Sequence, residues 1–161
     1  IKEGINADLI EDTIEINNSQ PLTVVKLIKR RLKKLDGKNI SILGLAFKPD
    51  TDDIRNAVSI TIIKELLKNG AKIKAYDPKA NNNMKKYFGK NITISNTSTS
   101  CIKGTDCCII VTEWEEFKSI QPEKYMQLMR NPIVIDGRRL YNAKKYSKKI
   151  EYYAVGVSHF N

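Results

Sequence analysis

Two basic clusters follow apolar runs in this chain. Lys48 comes after the run at residues 40–45, and Arg138 with Arg139 comes after the run at residues 132–135, through Asp136 and Gly137. Each run reads as a buried β-strand. If the two strands are parallel, their carboxyl ends share one rim of a sheet. An ammonium and a guanidinium converging there make a pocket for a diphosphate or a carboxylate. The first of these units is the most complete: Gly44 closes the strand, a charged loop follows, and Asp52 or Asp53 is placed to N-cap a helix in which Ile62, Ile63, Leu66 and Leu67 recur at helical spacing. A strand-loop-helix unit of this kind offers backbone N–H groups and a helix N-terminus to an anion, so the ligand implied bears phosphate. The loop sequence G-L-A-F-K-P lacks the second and third glycines of the dinucleotide fingerprint.

Other residue types capable of chemistry are read more plainly. Asp77 ends a second apolar run, where an NAD-binding fold would place the acid that holds a ribose; the preferred reading is structural, capping the turn before Pro78. Thr112, Glu113 and Trp114 follow a third strand, either as site residues or, for Trp114 with Phe117, as packing for the next turn. Cys101, Cys107 and Cys108 form no C-x-x-C pair, and two of them lie in an apolar run, so they read as reduced, buried thiols and not as nucleophiles, disulfides or metal ligands. His159 has no partner that spacing identifies. No catalytic residue and no metal site are assigned.

The elements that must position these groups alternate. Residues 5–16 are helical in pattern, and Pro21 breaks or kinks that helix or opens a new one over residues 22–35, with Val24, Ile28, Leu32 and Leu35 on one face. That stripe is expected to stay partly exposed or to pair with another copy. Strands are read at residues 40–45, 71–76, 91–95 (an edge strand), 105–111, 132–135 and 152–155. Short helices fall at residues 80–88 and 123–129, and a polar stretch at residues 95–100. Right-handed crossovers then give an α/β fold: an open, mainly parallel, Rossmann-like sheet of five or six strands with helices on both faces.

A chain of 161 residues with 41% hydrophobic content suits a single domain with a sizeable core. No apolar run reaches the ~20 residues of a membrane-spanning helix, and no secretory signal pattern opens the chain, which points to a cytoplasmic protein. The chain lacks an initiator Met and begins as if within a helix, so it reads as a fragment. Its net charge of +10 is spread over helix faces and loops without a nucleic-acid-binding motif, so neither nucleic acid nor membrane is expected as a partner.

The run GLAFKPDTDDIR with Ser59, the YDP of residues 76–78, the TEW of residues 112–114 with Phe117, and the DGRRLY of residues 136–141 resemble, in order and spacing, the C-terminal part of the UDP-glucose/GDP-mannose dehydrogenase family. The resemblance covers nearly the whole chain. It implies a UDP-sugar-binding domain over residues 37–161, preceded over residues 1–36 by the end of the long central helix that connects the halves of the enzyme and lies at the dimer interface. It implies that Phe47, Lys48 and Arg138 bind the UDP-sugar, and that Arg55 reaches across the domain cleft toward NAD. The alternative for Arg55 is a helix-face salt bridge with Asp52 or Asp53. NAD itself, together with the catalytic cysteine, belongs to an N-terminal domain that precedes this region, so the fragment is expected to be inactive alone and the full protein to be a homodimer. Within the family, Asp136-Gly137-Arg138 resembles the NAD-dependent UDP-glucose 6-dehydrogenases, which oxidise UDP-glucose twice to UDP-glucuronate, more than enzymes acting on UDP-N-acetylmannosamine. Val58, where a small residue or proline is frequent, departs from the pattern. Rival readings are the same domain of a UDP-N-acetylmannosamine or GDP-mannose dehydrogenase, and a stand-alone nucleotide-binding module.

Overall fold

The computed structural model describes residues 21–156. The helical reading of residues 5–16, and His159, lie outside them. Six strands form one sheet: β1 (Asn39–Leu43), β2 (Lys72–Tyr76), β3 (Ile92–Ile94), β4 (Cys107–Ile110), β5 (Ile133–Asp136) and β6 (Glu151–Ala154). Their order is β3-β2-β1-β4-β5-β6, and every neighbouring pair is parallel. Central strands must be apolar on both faces because both are covered by helices. β4 and β5 are accordingly buried throughout, and β1 is buried after its first residue, whereas β2 and the edge strand β3 carry exposed polar positions.

Residues 21–32 form helix α1. The remaining helices are α2 (Val58–Lys68), α3 (Asn81–Phe88), α4 (Ser98–Ile102), α5 (Glu115–Lys118), α6 (Pro122–Leu128) and α7 (Ala143–Tyr146). From β1 the chain steps outward through α2 to β2, and from β4 it steps outward the other way to β5. Crossovers of one hand running in opposite directions put their helices on opposite faces, and α4 packs with α6 on the face away from α2. The direction changes between β1 and β4. Ligands of open α/β sheets bind outside the carboxyl ends of the strands at that switch.

Two local expectations are corrected. The apolar stripe of α1 is mostly covered: Val24, Val25 and Ile28 are buried and only Leu32 stays partly exposed, and the helix is tied to α2 by Lys29–Glu65 at 3.5 Å and to β6 by Arg31–Glu151 at 3.4 Å. The helix ends at residue 32, where Lys33 turns left-handed at φ 58°, so Leu35 reaches the core from a turn. Nor does Asp52 or Asp53 cap α2. Its N-cap is Ala57, without a side-chain bond, because Asp53 accepts from the backbone and guanidinium of Arg55 while Asp52 accepts from Asn83. The polar stretch at residues 95–100 contains a helix start, α4, with Thr97 and Ser100 in a reciprocal capping box.

Candidate functional site

The loop after β1 is held from below by a buried carboxylate. Asp77, at the end of β2, accepts from Leu45 N at 2.7 Å, Ala46 N at 3.1 Å and Trp114 Nε1 at 3.0 Å through Oδ2, and from Lys79 N at 2.9 Å and Ala80 N at 2.8 Å through Oδ1. Five donors satisfy a charge that burial would otherwise make very costly. This favours the structural one of the two readings of Asp77: its acceptor sites face the protein. It also decides Trp114, whose buried ring packs the turn while its N–H joins the same carboxylate.

Further bonds fix the loop. Thr112 Oγ1 donates to Ala46 O at 2.7 Å, Ser59 Oγ to Leu45 O at 2.7 Å, Phe47 N to Asp53 O at 2.9 Å, and Asn83 Nδ2 to Asp52 O at 2.9 Å. Gly44 makes the closest approach. At φ +89°, a Cβ there would lie 2.5 Å from Thr112 N, so only glycine lets the loops after β1 and β4 touch across the switch. From this anchored base Phe47 and Lys48 point outward. Phe47 is 52% exposed, and Lys48 is exposed with no hydrogen bond or ion pair among the described residues.

Arg138 approaches the same rim from β5. Asp136, fully buried, accepts from Arg138 N at 2.9 Å, Tyr141 N at 3.1 Å and Tyr152 OH at 2.7 Å, and so builds the Asp-Gly-Arg turn. The side chain of Arg138 folds back over β4, where Nε donates to Val111 O at 2.7 Å and lies 3.1 Å from Glu113 Oε2. β1 and β5 both pair with β4, so two interstrand spacings, about 10 Å, separate them. The backward reach of Arg138 narrows that gap. The parallel arrangement on which convergence depended is present.

Arg55 is elsewhere on the rim. Its Nε and Nη2 clasp the Asp53 carboxylate at 3.0 and 2.7 Å, and its side chain is 86% exposed. Hydrogen bonding to Arg55 lowers the Asp53 pKa to about 2. The salt-bridge alternative is therefore present in this structure, but in the loop and not on a helix face, since α2 begins after it.

Sequence reasoning missed the support beneath Arg138. Tyr141 and Tyr146 stack at 4.1 Å, Tyr125 OH and Tyr141 OH lie 2.8 Å apart, and Tyr152 reaches Asp136. Burial raises the Tyr146 pKa to about 12 and those of Tyr125, Tyr141 and Tyr152 well above the usual phenol range, so all four are neutral hydrogen-bonding groups. An acid at a strand end followed by glycine is a turn signal that could have identified Asp136. Cys101, Cys107 and Cys108 are buried and burial pushes their pKa values up, to about 12 for Cys101, the opposite of an activated thiolate. Among the described residues no group of three or more His, Cys, Asp or Glu could hold a metal ion.

Residues 41–143 match the model of the UDP-glucose/GDP-mannose dehydrogenase family, UDP binding domain. The chain is 37% identical over 150 residues to UDP-glucose 6-dehydrogenase YwqF of Bacillus subtilis, covering 92% of this chain and 34% of that protein. It is 36% identical over 143 residues to UDP-glucose 6-dehydrogenase AglM of Haloferax volcanii, covering 89% and 32%. Among solved structures it is similar to a UDP-glucose dehydrogenase from Pyrobaculum islandicum, with a TM-score of 0.81 at 26% identity over 94% of this chain and 32% of the other. The chain spans about a third of the length of the curated relatives it matches.

Proposed function

The chain belongs to the UDP-glucose/GDP-mannose dehydrogenase family, and from that premise we propose that it is the UDP-sugar-binding C-terminal domain of an NAD-dependent UDP-glucose 6-dehydrogenase. The observation that carries this reading is the rim itself: Phe47 and Lys48 stand on a loop anchored by Asp77, and Arg138 bends over the end of β4 toward them. Lys48 and the terminal nitrogens of Arg138 neutralise the diphosphate, the guanidinium supplying a planar fork and the ammonium a point charge. The exposed ring of Phe47 offers a flat apolar surface to the nucleoside. Holding the diphosphate this way orients the sugar toward a catalytic half supplied by the rest of the enzyme.

NAD does not fit this domain's own crevice, because Asp77 is saturated from within and the loop after β1 lacks the dinucleotide glycines. The reading therefore assigns NAD to an adjoining domain, with Arg55 exchanging Asp53 for the cofactor across the cleft. On this reading residues 1–36 form the segment that connects the two halves of the enzyme, residues 37–161 the UDP-sugar-binding domain, and the full enzyme is a cytoplasmic homodimer converting UDP-glucose to UDP-glucuronate in two oxidations. Among the described residues no helix is long and apolar enough to cross a membrane.

The test is calorimetric titration of the chain with UDP-glucose, UDP and GDP. Saturable binding of the uridine ligands, weaker for GDP, and a loss of roughly ten- to a hundredfold in folded Lys48→Ala and Arg138→Ala variants, is expected from hydrogen bonds to charged groups worth about 1.5–3 kcal/mol. Equal binding of UDP and GDP, untouched by either substitution, contradicts it.

A further inference from the structure

We propose that Glu113 is a displaceable counter-ion of Arg138, a carboxylate that occupies the guanidinium when the rim holds no anion and gives way to the diphosphate when one arrives. The inference rests on the reading of the rim as a diphosphate site. Its geometry starts with the neighbours of Glu113. Thr112 is buried with its hydroxyl on Ala46 O, and Trp114 is buried with its indole N–H on Asp77. Anchoring the residues on both sides forces the side chain between them out onto the rim. There Glu113 Oε2 lies 3.1 Å from Arg138 Nε.

The single hydrogen on that nitrogen is already directed at Val111 O, 2.7 Å away. Arg138 is thus oriented by the backbone carbonyl, and Glu113 is held beside it by charge. The carboxylate can leave without releasing the guanidinium from its perch. Among the described residues the terminal nitrogens of Arg138 have no hydrogen-bond partner, so they are the face left for an anion. Both side chains of the pair are partly open to solvent, at 36% and 44%, so the attraction is weak and exchangeable. A fixed negative charge beside an anion site lowers affinity for that anion and speeds its release. Glu113 is therefore a residue that sets ligand affinity and not one that builds the fold.

The experiment is calorimetric titration of the wild-type chain, Glu113→Gln, Arg138→Ala and the double variant with inorganic pyrophosphate and with UDP. Near-UV circular dichroism of Trp114 checks that each is folded. Glu113→Gln should bind pyrophosphate about three- to fivefold more tightly than wild type, the scale of an exposed ion pair. That gain should disappear in the Arg138→Ala background and shrink at about 1 M salt, where the screening length is about 3 Å. Unchanged or weaker pyrophosphate binding in Glu113→Gln overturns the proposal, as does a gain that persists without Arg138. Weaker UDP binding beside unchanged pyrophosphate binding also overturns it, since Glu113 then accepts a hydrogen bond from the nucleoside or sugar. Absence of pyrophosphate binding in both wild type and Glu113→Gln overturns it too. The reading of the site itself is judged separately, by whether Lys48→Ala weakens UDP binding by roughly ten- to a hundredfold.

Discussion

Charge at the rim is handled in two ways that differ by burial. Asp77 and Asp136 are buried carboxylates whose oxygens are satisfied by backbone and side-chain donors, and they serve as fixed posts from which Lys48 and Arg138 project. Asp53 and Glu113 are solvent-facing carboxylates paired with arginines that the same rim presents outward. The Asp53–Arg55 pair gives a direct pH prediction. The Asp53 pKa falls from the ordinary 3.8 to about 2 through its hydrogen bonds with Arg55. A depressed carboxylate pKa contributes stability that is present above about pH 4 and lost as pH falls through about 2. Arg55→Ala should return the Asp53 titration toward 3.8, read from its carboxyl carbon by NMR, with the fold intact. An unchanged titration contradicts the pairing. If Arg55 exchanges Asp53 for another anion, the pair is the latch that is released.

The element that sets the geometry is the contact between the loops after β1 and β4. Gly44 lies in left-handed backbone, and the space its Cβ would fill is occupied by Thr112. Gly44→Ala should therefore destabilise the domain by at least about 2 kcal/mol, from the combination of a strained φ and a backbone clash. Urea denaturation measures this, and a loss below about 0.5 kcal/mol shows that the loops can separate cheaply. The order of strands and helices around this contact was legible in the sequence because buried parallel strands are continuous apolar runs, as at Ile40, Ile42 and Leu43, and because Gly70 and Gly156 mark turns. What stayed illegible is long-range. Asp52 has the residue type of an N-cap, but its carboxylate accepts from Asn83, and no local pattern reveals a competition decided by a partner 31 residues away, whereas the partner that takes Asp53, Arg55, is two residues along the chain. The stripe of α1 was legible as apolar, while the sheet that covers it was not. Glu113 looked like one letter of a motif until Thr112 and Trp114 were seen to turn inward around it.

At the scale of the molecule, the sheet is a frame with its chemistry on one edge. Burial removes the thiols and the tyrosine cluster from reactivity, the loops after β1 and β5 carry the cations on either side of β4, and α1 lies beside α2, its Pro21 and Val24 sharing a hollow with Val111 and Arg138. On the proposed function, this edge holds the charged part of a nucleotide sugar and the rest of the enzyme supplies the oxidation. The most direct measurement is an NMR titration of the chain with UDP, observing the side-chain nitrogens of Lys48 and Arg138. The account predicts that both resonances shift along one saturable curve, with the backbone amides of Phe47 and Lys48 moving with them, while those around β3 and α7 stay still. Shifts centred away from the rim, or a Lys48 and Arg138 that do not respond to UDP at saturation, would contradict it.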